Sequence, residues 1–150
     1  MSVARVHRCL PRAGIDPIDD PVIAARTLAA ALSHPLRHET IALLLDPERR
    51  GVAIVIVADT HDSDALIEIV ELLAAPTAHD GRVAAMVIAT VRPGQRSDDP
   101  AGDSVPGDVE RWMEASEIAE AAGVELIEWF VIEPDRVTCP RDHLGEPPRW

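Results

Sequence analysis

GRVAAMVIATVRPGQRSDDPAGDSVPGDVERW, residues 81–112, holds the reading on which the fold turns. VAAMVIATV is apolar without alternation and of strand length, which predicts a strand covered on both faces rather than one side wet. Pro93 and Gly94 end it, and a Pro-, Gly-, Ser- and Asp-rich loop runs through 107. Asp108 then opens an amphipathic helix. Ligands of layered α/β folds bind where a strand's carboxyl end meets a helix N-terminus, and the 91–107 loop occupies such a place.

Downstream, DVERWMEASEIAEAAG predicts a helix with Trp112, Ala115, Ala119 and Ala122 turned inward. Glu110, Glu114, Glu117 and Glu120 form its wet side, and Gly123 is its C-cap. VELIEWFVI is a fourth strand, and Asp135-Arg136 turns into a short fifth, Val137 to Cys139. Trp129 and Phe130 are adjacent, so strand alternation sends them to opposite faces and leaves one available to cover a partner. The tail PRDHLGEPPRW reads as irregular.

Upstream, residues 1–18 form an N-terminal extension. Asp19-Asp20-Pro21 starts a helix with a capping carboxylate and a first-turn Pro. Ala25, Leu28, Ala29 and Leu32 share its apolar face, and Pro35 closes the element. ETIALLLD and GVAIVIVA, joined by a turn at Asp46–Gly51, predict an antiparallel hairpin with both strands buried on both faces. Asp62, Ser63 and Asp64 cap a helix over 64–74, striped by Leu66, Ile69, Val70 and Leu73. The order predicts an α/β (α+β layered) domain over 19–145, with a mixed central sheet of five to six strands, three flanking helices and a 146–150 tail.

Composition excludes several functions. Fourteen Arg against 26 acidic residues give a net charge of −12, which repels phosphate backbones and disfavours nucleic acid as a partner. The longest apolar runs are too short to span a bilayer, and the first residues lack the apolar stretch of a signal peptide. No membrane partner and a cytoplasmic location are expected. Cys9 and Cys139 are too few for a disulfide framework.

Four segments resemble the RadC-like branch of the JAB/MPN metal-dependent hydrolase family, whose fold is also cytidine-deaminase-like. HETIALLLDPERRG resembles its first strand and turn, and GRVAAMVIATVRPG the strand that delivers its metal-binding histidines. DVERWMEASEIAEAAGVELIEWFVI resembles the helix and strand that follow, and EPDRVTCPRDHLG the closing hairpin. The likeness covers about residues 36–145.

In active members a strand ends in His-x-His before a Pro, a downstream Asp completes a zinc site, and an upstream Glu acts as general base. The resemblance places Thr90 and Arg92 at the histidine positions, Asp108 at the third ligand and Ser104 at a frequent Ser. Glu39 lies near the base position, and His38 falls there if the strand is aligned without a shift. Threonine is a poor zinc ligand, and a guanidinium has no lone pair to give.

The resemblance therefore implies a degenerate JAMM motif, with no metal and no cofactor. Glu39, Ser104 and Asp108 are vestigial catalytic candidates; Thr90, Arg92 and Asp108 form a binding cleft. Two readings of Arg92 stand. It pairs with Asp108 and Glu39 in place of the missing cation, or it points into solvent while Asp108 simply caps the helix.

Other clusters have ordinary explanations. Asp59, His61, Asp62 and Asp64 offer oxygens suited to Mg or Ca, but acidic residues at a helix start are common capping chemistry. Cys139 and His143, with His7 or Cys9 brought close, could hold zinc; irregular backbone at Pro140 makes a chance spacing the better reading. Gly94–Ser97 precedes a helix as a phosphate loop would, yet Asp98, Asp99 and Asp103 repel phosphate. The expected role is a non-catalytic binding or scaffolding module with a protein partner or itself as a homodimer. The alternative is a peptidase- or nuclease-like hydrolase using no metal, or one relocated around Asp59–Asp64 and Asp108.

Overall fold

In the computed structural model, which describes residues 10–94 and 107–150, two neighbouring strands have every residue buried. They are β1 (Glu39–Leu45) and β3 (Ala85–Val91), paired antiparallel with Thr40 opposite Thr90. Their near-continuous apolar sequences suit a position with helices on both sides.

The other elements assemble around this pair. Helix α1 (Pro21–Ala30) precedes β1, and β2 (Gly51–Ala58) returns antiparallel along its outer side. Helix α2 (Ala65–Asp80) leads to β3, and α3 (Asp108–Ala121) crosses to β4 (Glu125–Ile132), which lies parallel to β3. A two-residue β5 (Val137–Thr138) and a short α4 (Pro140–Leu144) close the chain. The five-stranded mixed sheet has the order β2-β1-β3-β4-β5, giving the expected layered α+β architecture.

Alternation along the strands divides the core into two layers. Ala42, Leu44, Met86, Ile88, Trp129 and Val131 face α2 and α3, meeting Leu66, Val70, Trp112, Ala115 and Ala119. Ile41, Leu43, Leu45, Val87, Ala89 and Phe130 face α1, meeting Ala24 and Leu28. Trp129 and Phe130 thus take opposite layers as alternation requires, but both are buried, so neither is left over to cover a partner.

Several expectations need correction. The hairpin is buried on both faces only along β1; β2 is an edge strand whose Val52, Ile54 and Ile56 are exposed. Helix α1 buries Ala24, Thr27 and Leu28 and leaves Ala29 exposed, a face rotated from the predicted stripe. Helix α2 continues past residue 74 and through Pro76 to Asp80. A fourth helix forms where the tail was read as irregular, with Pro140 in its first turn and Gly145 ending it at φ 66°. Glycine tolerates that left-handed backbone without a Cβ clash.

The segment before α1 is part of the fold. Ile18 donates its N–H to the Arg49 carbonyl at 2.7 Å, and its side chain is 2% exposed within the α1-side layer. Asp20 then caps α1 by accepting from the N–H groups of Val22 and Ile23. Ile18→Ala is expected to cost about 2–4 kcal/mol, read as a lower urea midpoint at unchanged slope.

Candidate functional site

The end of β3 carries the site. Thr90 is 8% exposed and Arg92 9% exposed, both on the side of α2 and α3. The Arg92 N–H donates to the Ile132 carbonyl at 2.8 Å, extending the β3–β4 pairing one residue past the strand. Backbone position is therefore set by the sheet rather than by the following loop.

The Arg92 guanidinium makes two parallel bonds to Asp108, Nη1 to Oδ2 at 2.8 Å and Nη2 to Oδ1 at 2.9 Å. Asp108 is 2% exposed. It is the first helical residue of α3; the N-cap is Gly107, with φ 92° and no side-chain cap bond. The reading of Asp108 as a capping residue alone is thus corrected. Its carboxylate is engaged by Arg92, while its place in the first turn keeps the helix-dipole stabilisation of an anion.

Arg111, one turn along, lies 3.7 Å from Asp108. It also donates to Asp64 Oδ1 at 3.1 Å and Ser63 Oγ at 3.0 Å, tying the starts of α2 and α3 together. A Cβ at position 107 would come within 2.9 Å of the Arg111 guanidinium, and the left-handed backbone there also favours glycine.

Glu39 does not join this cluster. It points to the α1 side, where it accepts from Ser33 N–H at 2.8 Å and Ser33 Oγ–H at 2.9 Å. The cause is register: Glu39 is opposite Val91, so its side chain lies on the face away from Thr90 and Arg92. His38, one residue earlier, lies beside the cleft instead.

The His38 ring lies 4.1 Å from that of His61, centroid to centroid, tilted by 41°. Together with Thr60, Thr90, Arg92 and Trp129 they line a cleft of about 90 Å³. Trp129 Nε1–H donates to Thr90 Oγ1 at 2.9 Å, and the Thr40 and Thr60 hydroxyls are 2.9 Å apart. The Arg92 guanidinium sits 6.0 Å from the Trp129 ring centroid, at the limit of a cation–π contact.

Thr40 and Trp129 were missed as site residues from sequence, while His38 entered only through the resemblance and His61 only within the 59–64 cluster. The usable signal was parity: once Thr40 is set opposite Thr90, His38 follows on the same face as Arg92. His61 carries no such signal, since it reaches the cleft from the loop after β2.

The residues at the expected zinc positions do not fit the ion. Thr90 accepts from an indole and Arg92 is a cation, leaving Asp108 as the one suitable donor. Among the described residues no three His, Cys, Asp or Glu side chains converge as metal ligands. Within 59–64, Asp62 Oδ1 accepts the Asp64 N–H at 2.9 Å, an ordinary turn at the start of α2. Ser104 lies outside the described residues, as do Asp98, Asp99, Asp103, His7 and Cys9.

A second buried ion pair lies across the sheet. Arg141 of α4 donates Nε–H to Glu128 Oε2 at 3.0 Å, with the two side chains 8% and 2% exposed. Burial pushes the Glu128 carboxyl up, while the Arg141 hydrogen bond and charge oppose that shift. Cys139, between them in sequence, is pushed up to about 12 by burial first and then by Glu128 and Asp142. Its thiol is unsuited to nucleophilic work at neutral pH.

No family model and no curated protein matches this chain.

Two measurements check the site's physical description. Arg92→Ala and Asp108→Ala should each cost about 3–5 kcal/mol in urea denaturation, since each strands a buried charge. The double replacement Arg92→Met/Asp108→Leu should recover most of that loss. Separately, iodoacetamide at pH 8 should label the Cys139 peptide about tenfold to a hundredfold more slowly in the native protein than in urea.

Proposed function

We propose that the chain is a RadC-like, JAB-type domain that has given up hydrolysis and serves as a binding or scaffolding module. The observation that carries this reading is the bidentate Arg92–Asp108 pair. A guanidinium does at this place what a divalent cation would do elsewhere: it neutralises the carboxylate at the start of α3. Unlike a metal, it offers no open coordination position and cannot activate water. The order α1, β1–β2, α2, β3, α3, β4–β5 supports the resemblance, being the order that the four similar segments imply.

The cleft beside the pair suits recognition better than chemistry on a sizeable substrate. Its volume of about 90 Å³ is well below the several hundred Å³ typical of small-molecule sites. It has room for the end of one side chain or a chain terminus, met by imidazoles, hydroxyls and an indole face. A protein segment presenting a small polar group is the partner class this favours. The net charge of −12 disfavours nucleic acid, and among the described residues no helix is long and apolar enough to cross a membrane. A cytoplasmic module without a cofactor is the corresponding picture.

The rival is a hydrolase with a relocated metal, for which the His38–His61 contact is the one favourable observation. Metal analysis separates the two. After dialysis against zinc and then against buffer, the wild-type chain should retain well under about one equivalent. Thr90→His/Arg92→His should gain about one, because it restores two imidazoles next to a freed Asp108. Stoichiometric zinc on the wild type, lost in His38→Ala or His61→Ala, would establish the rival.

A further inference from the structure

We infer that the cleft at the end of β3 is a carboxylate site, holding the carboxylate of a partner segment through hydrogen-bond donors that the protein itself leaves unused. The inference rests on the recognition reading above and names the group recognised. Its basis is which polar atoms of the cleft already give a hydrogen and which already receive one.

The hydroxyls receive. Thr90 Oγ1 accepts from the Trp129 indole at 2.9 Å, and Ser63 Oγ accepts from Arg111 Nη2 at 3.0 Å. A hydroxyl that has accepted once still has its own hydrogen to give. Neither of these two finds an acceptor for it among the described residues. The Thr40 and Thr60 hydroxyls share one hydrogen bond, so a hydrogen of that pair is left as well. Arg92 uses Nη1 and Nη2 on Asp108 and keeps its Nε–H. The His38 and His61 rings each carry an N–H even when neutral, and neither ring has a hydrogen-bond partner among the described residues.

Against these donors the cleft sets one carboxylate of its own, Asp62, which is exposed and whose Oδ1 already takes the Asp64 N–H. Asp108 and Asp64 lie close by, but the guanidiniums of Arg92 and Arg111 engage them. Donors are therefore in surplus, and the group that completes them must bring oxygen lone pairs. Size narrows the choice. A space of about 90 Å³ equals that of about three water molecules, which suits a carboxylate and is tight for a phosphate or sulfate. The net charge of −12 also resists a second negative charge on the ligand. A neutral carbonyl has the lone pairs, but bonds to an ionised acceptor are roughly twice as strong. His61, Asp62 and Ser63 are exposed at the rim, so a chain terminus or an acidic side chain reaches the cleft from solvent.

Titrating the metal-free full chain with sodium acetate, at ionic strength held constant with chloride, tests this through the NMR shift of the Trp129 indole N–H. Acetate should move that signal along a saturating curve in roughly the millimolar range, and acetamide should bind at least about tenfold more weakly. His61→Ala, at an exposed loop position, and Thr90→Val should each weaken acetate at least about threefold. Three short Gly/Ala peptides then identify the source of the group: one with a free C-terminus, one amidated, and one amidated with a central Asp. Binding by the first or the third, with the second silent, supports the inference and assigns a chain end or a side chain. Acetate shifts that never saturate or that acetamide matches, affinity unchanged in both variants, or two silent carboxylate peptides would overturn it. A chain that retains no zinc yet ignores acetate loses this inference alone, whereas stoichiometric zinc on the wild type removes the recognition reading as well.

Discussion

A guanidinium and a carboxylate held in parallel register at the junction of β3 and α3 constrain much of the molecule. Strand β3 is central and fully buried, so the direction of its last side chains is set by the sheet. Arg92 projects from that end and fixes the first turn of α3 through Asp108. Helix α3 then lays Trp112, Ala115 and Ala119 onto the sheet. Removing both charges from water is costly, and their attraction with good geometry roughly repays it. The pair is best understood as specifying where the helix begins rather than as a source of net stability.

The same device recurs at the other edge. Glu128 on β4 and Arg141 on α4 hold the final helix against the sheet, again as a buried pair. Beyond it, Arg149 donates to the Leu126 carbonyl at 2.8 Å and stacks 4.7 Å from the Trp112 ring centroid. Every basic residue of the chain is arginine, which suits these tasks: its planar fork bonds two oxygens at once and is less heavily hydrated than an ammonium. The excess of carboxylates is left mainly on wet faces, such as the Glu110, Glu114, Glu117 and Glu120 stripe of α3.

Two parts of the sheet differ in how their side chains are accommodated. At the carboxyl end of β3, polar groups satisfy one another: indole with threonine, threonine with threonine, arginine with aspartate. Satisfied networks of this kind hold a cleft rigid and keep it small. Along β2, by contrast, Val52, Ile54 and Ile56 are exposed. The described residues thus pair polar groups at the end of β3 and leave apolar ones exposed along β2.

How much of this was legible depends on the range of the interaction. Apolar runs without alternation identified β1 and β3, and the i, i+3, i+7 spacing of Trp112, Ala115 and Ala119 identified the inner face of α3, because both signals are local. The Arg92–Asp108 pairing was one of two readings left open once the resemblance had set both residues at one site. The residues themselves determined a layered α+β domain and a net charge hostile to nucleic acid and, at the two positions that the resemblance singled out, a poor zinc ligand in Thr90 and none in Arg92. Tertiary structure decided the rest. A single step of strand parity turned Glu39 to Ser33 and brought His38 beside His61, and position in the sheet left β2 uncovered while an equally apolar β1 was enclosed. Side-chain type is a property of one residue, whereas facing and burial are set by which strand lies next to which, and that is written nowhere in a local stretch of chain.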